Sequence, residues 1–285
     1  MSRETRLLVV ANETVGGRAL IDAVVARGEK GAIDVTVICP QNQPQSGLVV
    51  YDESVRTAAE NRLALTIEQL RRAGIPARGE VMDPDPYAAT MDAVREFGAD
   101  EIFISTHPET RSGWLRRDLV DRVRTDTGLP VEHIVVDMAG DRAERTNILV
   151  VANQTVGGEP LFEYLKRRAA IEGPPLTFVV ATPQGDEGSA KRLARLLARI
   201  HEEGWEAIGQ VMDPDPYTAI QNALQFYTVD EIVISTFPET SSGWLRGDLI
   251  GRVRASTAKP VEHVVVSEDE ARRGATDGAA TGGLS

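Results

Sequence analysis

The sequence predicts an α/β fold in tandem: two doubly wound, Rossmann-like domains, each a parallel sheet with helices on both faces. Three observations predict it. Blocks of near-identical sequence recur at long offsets. Inside each copy, short β-rich runs alternate with segments whose apolar residues fall three and four apart. The strand candidates, LLVVA among them, are continuously apolar, as strands buried on both faces are. Right-handed crossovers between such strands give the doubly wound form.

The duplication sets the organisation. LLVVANETVGG at residues 7–17 returns as ILVVANQTVGG at 148–158, with 9 of 11 positions identical and an offset of 141. VMDPDPY at 81–87 returns unchanged at 211–217, where the offset is 130. The first copy is therefore 11 residues longer between these points, around the polar stretch QNQPQSGLVVYDES, which reads as a loop. ISTHPETRSGWLRRDLVDRVR at 104–124 matches ISTFPETSSGWLRGDLIGRVR at 234–254 at 16 of 21 positions. Each copy is long enough to be a complete domain rather than a solenoid unit. The expected division is a first domain over 1–137, a linker over 138–146, a second domain over 147–267 and a disordered tail over 268–285.

In chain order, copy one offers strands at Arg6–Ala11, Asp34–Cys39, Ala77–Met82, Glu101–Ser105 and Val131–Val136. The helical stretches between them are ALIDAVVAR, the run from Asp52 to Ala73, YAATMDAVREFG and GWLRRDLVDRVR. In a doubly wound sheet, ligands bind beyond the carboxyl ends of the strands where strand order reverses. The repeated blocks sit at such ends. After the first strand come Asn12, Thr14, Gly16 and Gly17, matched by Asn153, Thr155, Gly157 and Gly158. Glycines there let a ligand approach the backbone and helix N–H groups face an anion, although Asn and Gly also simply make a capped turn. At the third strand's end, Asp85 before Pro86 reads as a helix N-cap with proline at the first helical position. Asp83 and its counterpart Asp213 are left free to accept a ribose hydroxyl or Mg²⁺, although nothing in the spacing demands a metal.

The fourth strand ends in Ser105 and Thr106, with Ser235 and Thr236 in copy two. Hydroxyls, glycine and arginine follow: Ser112, Gly113 and Arg116, matched by Ser242, Gly243 and Arg246, with Gly247 after them. The stretch from Arg111 to Arg124 carries a local charge of +3, and that from Ser241 to Arg254 carries +2. Such a set around a helix start suits an anion or phosphate. Some of these charges read as pairs on a solvated face, Asp118 with Arg122 and Arg117 with Asp121. Trp114 and Trp244 read as core, and His133 and His263 lie inside the fifth strands on the opposite face from their Glu neighbours. No catalytic triad, carboxylate pair or metal-ligand spacing stands out, and at most weak nucleotide hydrolysis is expected.

Composition narrows the rest. A length of 285 suits about two domains at roughly 150 residues each. Lys and Arg number 31 against 43 Asp and Glu, a net charge of -12 that argues against nucleic-acid and anionic-membrane partners. Cys39 is the only cysteine, which excludes an intrachain disulfide. The start of the chain lacks a basic segment followed by a long apolar one, and the expectation is a cytoplasmic protein.

Taken together, these elements resemble the universal stress protein family in a tandem form. The resemblance covers about 5–137 and 146–267 and rests on LLVVAN and ILVVAN, VTVICP and FVVATP, VMDPDPY, FGADEIFIS and YTVDEIVIS, and PVEHIVV and PVEHVVV. It implies five parallel strands in the order 3-2-1-4-5, with the reversal between strands one and four. It also implies fifth strands that pair, so that the two copies form an intramolecular pseudo-dimer open to further homodimerisation. Some members bind ATP or AMP and others bind none; in this chain Mg²⁺ is not expected to be held by protein alone. Where ATP-binding members carry Asp after the first strand, this chain has Asn12 and Asn153. Their phosphate-loop glycines fall here on Ser105, Pro108 and Arg117, or on Ser235, Pro238 and Gly247, and Asp118 or Asp248 takes the hydroxyl position. The expected function is a regulatory protein holding an adenine nucleotide or other small anion in each crevice, with Ser112, Gly113 and Arg116 replacing the glycine loop. The alternative is a module that binds protein partners and no nucleotide.

Overall fold

The computed structural model describes residues 4–11, 17–40, 52–106, 117–136, 146–171, 173, 175–238, 243 and 248–271, with backbone alone at 52–54, 117 and 118. The chain divides into two compact units, Met1–Asp141 and Arg142–Ser285.

In unit 1 the elements are β1 (Thr5–Val10), α1 (Arg18–Glu29), β2 (Ile33–Pro40), α2 (Asp52–Arg72), β3 (Ala77–Met82), α3 (Pro86–Phe97), β4 (Glu101–Thr106), α4 (Arg117–Thr127) and β5 (Val131–Val135). Unit 2 repeats them as β6 (Thr146–Val151), α5 (Glu159–Ala169), β7 (Leu176–Pro183), α6 (Ser189–Glu202), β8 (Glu206–Met212), α7 (Pro216–Phe226), β9 (Glu231–Thr236), α8 (Leu249–Ser256) and β10 (Val261–Val265). The sheet orders are β3-β2-β1-β4-β5 and β8-β7-β6-β9-β10, and all pairs are parallel. Strand order therefore reverses between β1 and β4, and between β6 and β9.

Why the apolar strands are continuous is visible in β1. Leu7, Val9 and Ala11 pack with Leu20 and Val24 of α1 and Leu63 and Leu70 of α2. Leu8 and Val10 point the other way, to Ala89 and Ala93 of α3 and Leu119 and Val123 of α4. A strand with helices on both faces needs an apolar side chain at every step. In β6, Ile148, Val150 and Ala152 likewise meet Leu161 and Leu165 of α5 and Leu193 and Leu196 of α6. The outer strands differ: β5 and β10 end in Val135 and Val265, each 49% exposed.

The start of α3 forms as its sequence dictates. Asp85 accepts from the Ala88 N–H at 2.8 Å, with Pro86 next to it. In unit 2 Asp215 accepts from the Thr218 N–H and Oγ1, both at 2.8 Å. Beyond β10 the chain does not stop at the expected start of a disordered tail. Residues 268–271 make a helical turn, opened by Ser267 and Glu270 bonding reciprocally, with Ala271 packed into the core. Residues 272–285 lie outside the described residues.

Candidate functional site

The site expected from the topology lies at the carboxyl ends of β1 and β4, and of β6 and β9. Asn12, Thr14, Gly16, Ser112, Gly113 and Arg116 lie outside the described residues, as do Ser242, Arg246 and Gly247. Gly243 is described as exposed helical backbone. Gly17 is the N-cap position of α1, buried and extended, with no side-chain cap. The geometry of the site is therefore read in unit 2.

There the loop after β6 is tied across the reversal point. Thr155 Oγ1 donates to the Ser235 carbonyl at 3.0 Å, joining the β6 loop to the end of β9. Gly157 follows, and Gly158 opens α5. A Cβ at Gly158 would lie 2.3 Å from Val266 Cγ1 and 3.2 Å from the Thr155 carbonyl. Glycine is required here for packing, because the helix start presses on the residue after β10.

Period-two alternation separates the paired hydroxyls of the fourth strands. Ser235 shares the face of Val233 and Ala152, while Thr236 points the opposite way. Thr236 Oγ1 donates to the Phe237 carbonyl at 2.8 Å and meets His263 Nε2 at 2.8 Å, so the ring nitrogen donates to the hydroxyl. Thr106 makes the same contact with His133 at 2.8 Å. Burial, with Arg254 adding to it, lowers the His263 pKa. Asp83 and Asp213 were the expected ribose acceptors. Each accepts the N–H of the aspartate two residues on through Oδ1, Asp85 at 2.9 Å and Asp215 at 2.8 Å, which shapes the turn into the helix.

The helix after β9 is capped by its own carboxylate. Asp248, in the left-handed region at φ 49°, turns its carboxylate onto the Gly251 N–H at 3.3 Å. A carboxylate at the start of α8 holds the position a phosphate would take. Arg122 lies over the Tyr87 ring at 3.9 Å and Asp121 bonds Arg124 at 2.9 Å, whereas the Arg117 and Asp118 side chains lie outside the described residues.

Sequence reasoning missed a residue that gathers several polar groups around it among the described residues. Arg192, in the first turn of α6, donates Nε to the Asn153 carbonyl at 3.3 Å. Its Nη2 reaches Asn153 Oδ1 at 2.6 Å, Asp186 Oδ1 at 2.9 Å and Ser189 Oγ at 3.2 Å. Asp186 also takes the Gly188 N–H at 2.8 Å. The Arg192 bond foremost, with that N–H, holds the Asp186 carboxyl below the usual range. The equivalent Arg62 of unit 1 acts on Cys39: burial pushes the thiol up, and Arg62 draws it partly back. A signal existed, since Arg-Leu-Ala stands at 62–64 and again at 192–194, at the offset of the aspartate motif.

Two neighbouring hydroxyls have no partner. Thr182 Oγ1 and Ser235 Oγ are buried without a hydrogen bond among the described residues. The registers Val151 with Ala181 and Val151 with Ile234, continued by one residue, put Ala152 between them in a row. Among the described residues no group of His, Cys, Asp and Glu could hold a metal ion. None of their helices is long and apolar enough to cross a membrane.

No family model matches the chain, and no curated protein does. Among solved structures the chain is similar to a universal stress protein from Archaeoglobus fulgidus DSM 4304, at 18% identity over 93% of this chain and 98% of that one, with a TM-score of 0.36. It is similar to a putative universal stress protein from Pseudomonas aeruginosa UCBPP-PA14, at 17% identity over 97% of this chain and 98% of that one, with a TM-score of 0.32. A universal stress protein family member from Burkholderia pseudomallei aligns with 46% of this chain and 95% of its own, at 17% identity and a TM-score of 0.34.

Proposed function

We propose that the chain is a cytoplasmic regulatory protein of universal-stress-protein type that binds an adenine nucleotide or another small anionic ligand at the strand-order reversal of its units. The observation that carries this reading is the polar cluster at the end of β6. Asn153, Ser189 and Arg192 converge where a doubly wound sheet receives its ligand. Arg116 and Arg246, with the serines and glycines before them, supply positive charge from the loop after the fourth strand. Association through the outer strands, with Val135 and Val265 exposed, belongs to the same reading.

The test is a thermal-shift scan of the purified chain against ATP, ADP, AMP, cyclic nucleotides and simple anions. Ligand at about 100 times Kd stabilises by roughly 2.7 kcal/mol, a shift of several degrees for a domain of this size. A saturable shift that Arg116→Ala or Arg246→Ala weakens is the expected result. No shift at millimolar nucleotide overturns the reading in favour of a protein-binding module. One observation favours that second reading: Arg192 already occupies the Asn153 amide oxygen.

A further inference from the structure

We propose that unit 2 selects a nucleotide that carries a second phosphate on its ribose, and that Arg192 is the residue that selects it. The inference rests on the reading above, that a nucleotide occupies the crevice with its sugar toward the end of β6.

Three features converge. The first is the pairing of a neutral amide with a guanidinium. In dinucleotide-binding doubly wound sheets an acidic side chain about 20 residues beyond the first turn receives a free ribose hydroxyl, and an arginine near it receives a ribose phosphate. Here the residue after β6 is Asn153, and the guanidinium of Arg192 is bonded to it at 2.6 Å. An amide does not repel a phosphate, as an aspartate would.

The second feature is the state of the guanidinium itself. Nε and Nη2 make all its bonds to protein, and Nη1 has no partner among the described residues. The Arg192 side chain is 20% exposed, so it is reachable from solvent while fixed in orientation. Two glycines of the loop beside it stand close to this pair of side chains. A Cβ at Gly188 would lie 2.7 Å from Nη1, and one at Gly185 would lie 2.4 Å from Asn153 Nδ2. Its present anion is Asp186, a half-exposed carboxylate that a doubly charged phosphate can displace.

The third feature is the row beneath. Thr182 Oγ1 and Ser235 Oγ are buried and unpartnered among the described residues on either side of Ala152, on the sheet face that α5 and α6 together cover. Leaving two buried hydroxyls unpaired costs on the order of 1–3 kcal/mol each. Thr182 lies on β7, the strand that leads into α6, and its hydroxyl is a donor that no described residue uses. In unit 1 the position of Thr182 is Cys39, under the influence of Arg62, so the vacant hydroxyl belongs to unit 2 alone.

The experiment is calorimetric titration of the full chain with AMP, adenosine 2′,5′-bisphosphate and adenosine 3′,5′-bisphosphate. One or both bisphosphates are expected to bind at least ten-fold more tightly than AMP. Arg192→Gln should bring that ratio to about one, Arg192→Lys should restore only part of it, and Asp186→Asn should raise it. Equal affinity of AMP and both bisphosphates for the unmodified chain overturns the inference and leaves the nucleotide reading standing. Nucleotide binding that appears only in Arg192→Gln also overturns it, because the arginine would then be closing the crevice. Absence of binding in both proteins overturns the inference and the nucleotide reading together.

Discussion

At Gly158 one hydrogen atom stands where any other residue would place a carbon 2.3 Å from Val266 Cγ1. Gly158→Ala should destabilise unit 2 by about 1–3 kcal/mol, the usual cost of overpacking, measured by denaturant unfolding. Trimming the partner in Gly158→Ala/Val266→Ala should recover part of that loss, which a backbone-conformation effect would not allow. Tyr164 gives a residue-scale pH prediction. Burial first, and then Glu231, with which its hydroxyl bonds at 3.2 Å, raise its pKa to about 12. A folded pKa above the unfolded value of 10 means stability that is complete below pH 10 and is lost as pH rises toward 12. The melting temperature should fall more steeply over that window in the unmodified protein than in Tyr164→Phe; parallel curves would show that the tyrosine does not titrate with unfolding. His263 works on the acid side. Its lowered pKa favours the neutral ring, so its contribution is present above the unfolded value of 6.5 and declines as pH falls below it.

At the scale of elements, the matched starts of α3 and α7 carry the clearest expectation. Asp215→Ala removes the N-cap bond to Thr218 and should cost about 1 kcal/mol, within a range of roughly 0.5–2, in chemical denaturation. Asp213→Ala removes the turn bond to Asp215 and should not alter ligand binding; if binding falls with folding intact, Asp213 has a ligand role after all. These elements were legible in sequence because the forces that form them are local or simple in pattern. Strands buried on both faces must be apolar throughout, and Asp-Pro announces a helix start. The candidate site was legible only as a place. That Ser235 and Thr236 point to opposite faces follows from the pleat, yet their shared adjacency suggested one cluster. Arg192 was hidden because an arginine on a basic amphipathic helix reads as a solvated face. Its turn toward Asn153 depends on where the β6 loop passes, which no local pattern encodes.

Across the whole molecule, the two copies have kept separate cores on one architecture. Phe178 is fully buried in unit 2 against Trp205, with ring centroids 5.8 Å apart. Phe178→Ala should cost about 3–5 kcal/mol through lost burial and the cavity left behind. Native-state hydrogen exchange should show that loss in β6–β10 and leave the β1–β5 amides unchanged; equal loss of protection in both units would show that they unfold as one. The polar sites have diverged more than the cores. Arg62 acts on a buried thiol in one unit, while Arg192 holds a loop amide in the other. The outermost strands have hardly diverged at all. PVEHIVV and PVEHVVV differ at one position in seven, and each lies against its neighbour in the same register. During folding from the denatured state, each sheet edge thus meets two nearly interchangeable segments joined on one chain. The wrong one arrives at the same high local concentration whatever the dilution. Refolding should therefore yield a fraction of strand-exchanged monomer that lowering the protein concentration does not remove.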